Sequence, residues 1–293
     1  MMEDGDSHKR PVPKLPHNGI PILTLFTTWK SSKEKEAFYF NTLENWSSFL
    51  PKINLVLFTN DTLFKKEASS RGWTVFPIIH HSANGVPILK KMYKTVMESV
   101  KSIYYGFCNG DILFVDNLLD TLILAHEEFK DTKVFFTGRR TNIQQVTKTE
   151  MSSYDNLKMA AKKRGELYTI SAEDYFITTK SFPWDEVPPL IVASPVYDNF
   201  LVAISRCKHN FQTFDLTNTV LAVHQTTKAG NSEGHHHKFA NYNHKLLEDM
   251  KVKNLWGVYS RGYVTCTTIY SIYNLCGDIE FIRRKDDLGC QTT

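Results

Sequence analysis

Apolar residues in this chain fall alternately into short runs and helical stripes. Ile20–Thr27 (IPILTLFT) and Ile53–Thr59 (INLVLFT) are the length of strands and rich in strand formers, and they predict two buried strands. Between them Tyr39, Leu43, Trp46 and Leu50 recur at helical spacing, after a Ser31–Glu34 capping box and before Pro51, so a helix is expected there. Thr74–Ile79 predicts a third, weaker strand. Pro87 then opens a helix with a broad apolar stripe through Leu89, Met92, Tyr93, Val96 and Met97. An aromatic strand, IYYGFCNGDILF, runs into a break at Gly110 and Asp111. A helix over Asp116–Phe129 follows, then a strand over Val134–Thr137 closed by Gly138, Arg139 and Arg140. This alternation predicts an α/β fold with a mainly parallel central sheet flanked by helices.

The second half is less regular. Helices are expected over Ser152–Arg164, Tyr197–Cys207 and Phe239–Met250, and strands over Tyr175–Thr178 and Val220–Val223, the latter ending at His224. Thr226–His237 reads as a Gly/Ser/His loop containing His235, His236 and His237. No internal repeat and no long linker divides the chain. Residues 1–18, polar and proline-rich, are expected to be a disordered lead-in, 19–260 the main domain and 261–293 a C-terminal extension.

Composition narrows the function. The 293 residues are 42% hydrophobic and 13% aromatic, enough for a sizeable core, which excludes a disordered chain or a disulfide-stapled miniature. The net charge of +4 is too small to mark a dedicated nucleic-acid binder. No apolar run has the roughly 18 residues of a membrane span. The five cysteines are scattered and form no C-x-x-C, so a reducing, cytoplasmic setting is the simpler expectation. The triplets at Asn45 and Asn60 carry little weight without a secretory signal. No G-x-G-x-x-G, P-loop, G-x-S-x-G or H-E-x-x-H occurs, which argues against dinucleotide oxidoreductases, P-loop kinases, α/β-hydrolases and zincins.

Several polar residues stand where an open α/β sheet binds ligands, beyond the carboxyl ends of its strands. Asp111 follows a buried strand and suits a hard cation such as Mg²⁺ or Mn²⁺, although Asn109-Gly110 is a strong turn signal and the local sequence by itself favours the turn. Asp198 opens a helix as a cap or as a general base. Asp174 precedes a strand. His224 is a metal or phosphate contact or a hydrogen-bonded structural histidine. Arg139 and Arg140 suit phosphate or carboxylate binding, against a surface ion pair as the plain alternative.

Taken in order, the segments ILTLFTTWK, NTLENWSSFLPKINLVLFTND, YYGFCNGDILFVDNLLDTL, FFTGRR, AEDYFI, YDNFLVAISR and FDLTNTVLAVHQ resemble the GT-A fold glycosyltransferases of the nucleotide-diphospho-sugar transferase superfamily. The likeness runs over roughly residues 20–260, and within the superfamily the segments resemble a group with an Asn-x-Asp metal motif. It implies a divalent cation, Mn²⁺ or Mg²⁺, held by Asp111 and His224, and a UDP- or GDP-sugar donor. Thr27 and Asp61 would face the nucleoside. Asn109, Arg139, Arg140 and Asp174 would lie along the donor, and Asp198 would be the base of an inverting transfer. The chain departs from the pattern at Asn109, which stands in place of the first motif carboxylate. Ala193-Ser194 and Tyr197 depart too, where relatives tend to carry Gly-Arg and Trp. A drifted, non-catalytic binding module is the alternative, and a nucleotidyltransferase a more distant one.

Overall fold

The computed structural model describes residues 19–30, 32–82, 85–130, 132–192, 194–226, 238–251 and 261–285. The expected lead-in, Ser31 of the capping box, Ala193, and the three-histidine run lie outside the described residues.

The first half follows its apolar pattern. Strand β1 (Leu23–Thr28) leads to helix α1 (Glu36–Ser47), β2 (Asn54–Phe58), α2 (Thr62–Ser70), β3 (Thr74–Phe76) and α3 (Leu89–Ser99). Then come β4 (Tyr104–Cys108), β5 (Ile112–Phe114), α4 (Asn117–Glu128), β6 (Val134–Thr137) and β7 (Thr141–Gln144). The rest comprises α5 (Lys148–Met151), α6 (Tyr154–Arg164), β8 (Glu166–Leu167), β9 (Tyr175–Thr179) and α7 (Tyr197–Cys207). It closes with β10 (Gln212–Asp215), β11 (Ala222–Thr226), α8 (Tyr242–Asp249), β12 (Ile269–Tyr273) and β13 (Ile279–Arg283).

Among the described residues the main sheet has nine strands in the order β13-β12-β10-β6-β9-β4-β1-β2-β3. It is mixed and largely parallel: β9 runs against both neighbours and β13 against β12, and the other pairings are parallel. Helices cover both faces, so strand side chains alternate between two apolar layers. Leu25, Leu55, Leu57 and Phe136 pack with the apolar sides of α1, α2 and α4. Phe26, Val56, Phe107 and Phe135 pack with those of α3 and α7. A four-stranded sheet, β5-β11-β7-β8, stands beside the main one.

Two features of this topology set up the site. Because β9 is antiparallel, its first residue, Tyr175, pairs with Cys108 at the end of β4, and a bridge joins Glu173 to Arg139 just past β6. The residues after two strands and before a third therefore meet at one rim. In the small sheet His224 lies in register with Ile112 on one side and Asn142 on the other. His224 is thus in the middle of β11 and not at its end, as the pattern VLAVHQ suggested. Residues after Val223 keep pairing because β7 extends the ladder that β5 leaves.

Cys108, Cys266 and Cys276 are free thiols, whereas Cys207 is disulfide-bonded, so the scattered cysteines do not by themselves indicate a reducing compartment. Among the described residues no helix is long and apolar enough to cross a membrane.

Candidate functional site

A cleft of about 1080 Å³ opens over the carboxyl ends of β1, β2 and β4. That is at the top of the range for small-molecule sites and leaves room for two reactants. Asn109, Asp111, Arg140, Asp174, Asp198 and His224 all line it, as does Asp61.

The turn after β4 forms as its Asn-Gly signal predicts, with Ile112 N–H donating to Asn109 O at 3.3 Å. Gly110 is required there for space. A Cβ would stand 1.9 Å from Nε1 of Trp29, whose ring is 2% exposed and stacks on Tyr39 with centroids 5.0 Å apart. Gly110→Ala is therefore expected to cost about 1–3 kcal/mol, since a packed indole has nowhere to go. A drop in the urea midpoint at unchanged m-value checks this, and a midpoint equal to that of the parent refutes it.

Asp111 and His224 meet at the cleft floor, with His224 Nε2 3.6 Å from Asp111 Oδ2. Asn142 Oδ1 lies 3.1 Å from His224 Nδ1 and also accepts from Arg140 Nε at 3.1 Å. An oxygen that accepts from arginine accepts from the imidazole as well, so Nδ1 carries a hydrogen and Nε2 is left to face Asp111. A proton or a cation must stand between the two. Burial works to raise the Asp111 carboxyl. The His224 ring, and then Lys35 and Arg140, outweigh it and hold Asp111 well below the usual carboxylate range.

This pair fits a divalent cation with two protein ligands. No group of three or more His, Cys, Asp and Glu that could hold a metal occurs among the described residues, so the remaining positions would fall to water and phosphate oxygens. That is the habit of Mg²⁺ and Mn²⁺. Asn109 does not join the pair. Its Nδ2 donates to Asp174 Oδ1 at 2.7 Å and its Oδ1 accepts from Tyr197 Oη at 3.2 Å. Lys35, unremarked in the sequence, lies 3.4 Å from the same Asp111 oxygen that His224 faces.

Arg140 grips both oxygens of Asp174 through Nη1, at 2.7 and 2.8 Å, and the Tyr168 ring lies 4.3 Å from its Cζ. The pair is buried, and it reaches the start of α7 through Asn109 and Tyr197. Arg139 goes elsewhere. Its guanidinium donates to Tyr168 O and it does not line the cleft, because successive residues leaving β6 point to opposite sides. Thr27 is also corrected: it is wholly buried, and its neighbour Thr28 faces the cleft. Asp61 caps α2, accepting from Leu63 N and Phe64 N.

Asp198 lies in the first turn of α7, half-buried, with Oδ1 accepting from Asn199 N–H at 3.0 Å. Burial, together with the like charge at Asp174, pushes its carboxyl up to about 7. The backbone that delivers it is strained: Val196 adopts φ +86°, rare for a β-branched residue. Asn243 of α8 holds this turn, donating to Ile191 O, Ser194 O and Pro195 O and accepting from Ile191 N–H. Glu173, passed over in favour of Asp174, is 2% exposed at the same end of the cleft. Burial and then the charges at Asp198 and Asp174 push its carboxyl well above the usual range. Its Oε2 accepts from Asn199 Nδ2 at 3.3 Å, and Oε1 has no hydrogen-bond partner among the described residues.

No protein-family model matches the chain, and no curated protein matches it significantly. Solved structures similar to it include S. aureus TarS 1-349 in complex with UDP-GlcNAc, at 12% identity and a TM-score of 0.33, covering 44% of this chain and 37% of that one. The mannosyltransferase PcManGT from Pyrobaculum calidifontis in complex with GDP-Man and Mn²⁺ is 12% identical with a TM-score of 0.42, covering 73% and 59%. Glucosyl-3-phosphoglycerate synthase from Mycobacterium tuberculosis in complex with Mn²⁺, UDP and glucosyl-3-phosphoglycerate is 10% identical with a TM-score of 0.39, covering 71% and 74%. The chain thus spans well under half the length of the TarS fragment. At these scores the likeness carries no weight for the reaction, which rests on the site's own geometry. The architecture itself is α/β, with a mixed and largely parallel central sheet flanked by helices, as the apolar pattern predicts.

Proposed function

We propose that the chain is a divalent-cation-dependent glycosyltransferase that moves a sugar from a UDP- or GDP-sugar to an acceptor hydroxyl, with inversion. The observation that carries this reading is the facing pair, Asp111 Oδ2 and His224 Nε2, in a cleft that Asp198 also lines. Asp111 and His224 would hold the cation, Mn²⁺ or Mg²⁺, which when bound supplies Lewis-acid stabilisation to the donor diphosphate. Arg140 keeps Asp174 and Asn109 in place along the donor. Asp198 takes the proton of the acceptor hydroxyl as its oxygen bonds to the anomeric carbon. The bond from that carbon to the diphosphate breaks, and its electron pair leaves on the phosphate oxygen.

The test is a donor-hydrolysis panel of UDP- and GDP-sugars read by mass spectrometry, with Mn²⁺ and with EDTA. One donor is expected to turn over only with Mn²⁺, and Asp111→Asn to lower that rate at least about 100-fold. Turnover indifferent to both EDTA and Asp111→Asn would sink the reading. One observation favours a second reading, a non-catalytic nucleotide-sugar-binding module: Lys35 already offers Asp111 a counter-charge without any metal ion. A thermal shift with a donor but no turnover in the panel would support it.

A further inference from the structure

We infer that Lys35 is a shared counter-ion of this site, pairing with Asp111 when the cleft is empty and with the donor diphosphate when it is filled; this rests on the donor reading above. Lys35 Nζ and His224 Nε2 approach one oxygen, Asp111 Oδ2, at 3.4 and 3.6 Å. An ion held by Asp111 and His224 needs that oxygen, so Lys35 competes for it. The Lys35 side chain is 27% exposed and lines the cleft at the N-cap of α1. It can therefore swing on its flexible stem without disturbing the core.

Charge count gives the swing a purpose. The diphosphate of a nucleotide sugar carries two negative charges, and Asp111 adds one. A divalent cation offsets two of these three, and Lys35 offsets the third. When the bond from the anomeric carbon to the diphosphate breaks, one more negative charge develops on the leaving oxygens, while Asp198 takes up the acceptor proton. An ammonium already at the diphosphate stabilises that change, and a charge-assisted hydrogen bond is among the strong ones.

Lys35→Met and Lys35→Arg, compared with the parent 293-residue chain, test this by calorimetry with Mn²⁺ alone and with inorganic pyrophosphate in the presence of Mn²⁺. Circular dichroism confirms folding. With its competitor gone, Lys35→Met is expected to bind Mn²⁺ alone severalfold more tightly, and Mn²⁺-supported pyrophosphate about tenfold or more weakly. Lys35→Arg keeps the charge and should stay near the parent in both. Mn²⁺ uptake that does not tighten, or pyrophosphate affinity that does not fall, overturns the role of Lys35 alone. A parent protein that takes up neither Mn²⁺ nor pyrophosphate overturns the donor reading and this inference together.

Discussion

Asp198→Asn is expected to slow sugar transfer by about 10²–10⁴-fold while leaving donor affinity nearly unchanged, because it removes the proton acceptor and keeps the shape. The parent should show a matching pH dependence. With the Asp198 carboxyl pushed up to about 7, the ionised form is scarce in acid. The rate should climb about tenfold per pH unit below neutrality and level off above it. The variant's residual rate should lack that limb. The same shift has a stability consequence of known sign. The folded state keeps the Asp198 proton up to about 7, whereas the unfolded chain releases it near its ordinary 3.8. Between these values the folded state binds more protons, so the contribution of Asp198 to stability declines as pH rises through the window. Asn carries no such charge, and above pH 7 the variant should be more stable by about 1–3 kcal/mol, the gap closing toward pH 4. A variant that transfers sugar at the parent rate and melts with it at every pH leaves Asp198 a polar residue of the first helical turn and nothing more.

Where burial followed a clear period, the fold was legible. Helix α7 begins and ends where its stripe of Phe200, Leu201 and Ile204 predicts, and α4 lies within one residue of expectation at each end. Helix α2 was missed because it buries only Phe64 and Ala68, too few positions to make a stripe. Strand β10 was missed for the opposite reason: it buries Thr213 and Asp215, polar residues that break the apolar run. The placing of Thr27, and not Thr28, at the cleft has a different root. Both faces of β1 are covered by helices, so nothing in its sequence sets the parity of its last residues, and a one-residue slip exchanges faces. At the site, Asp111 and His224 were visible because each is a polar residue set against an apolar strand. Lys35 sits in a run of charged residues indistinguishable from a solvated helix start. Asn142 and Asn243 act on partners distant in sequence and leave no local signal.

Replacing Arg140 with Met is expected to cost about 3–5 kcal/mol, because it strands a buried carboxylate. Asp174 is 3% exposed, and two of the hydrogen bonds to its carboxylate come from Arg140. The other donor among the described residues, Asn109 Nδ2, is neutral and cannot replace a guanidinium. For a chain of this size the loss corresponds to a fall of about 5–15 °C in melting temperature. Removing both charges, as Arg140→Met with Asp174→Leu, should recover a good part of it, since a buried pair exchanged for apolar groups is often close to neutral. The double variant also separates structure from function. Asp174 orients Asn109, which in turn accepts from the Tyr197 hydroxyl beside Asp198. Stability can therefore return without the chain of contacts that sets the first turn of α7. A restored melting temperature with transfer still lost is the expected result. Equal recovery of both would mean that the pair only holds the fold. A single Arg140→Met variant as stable as the parent would show that Asp174 is not the buried, dependent carboxylate described above.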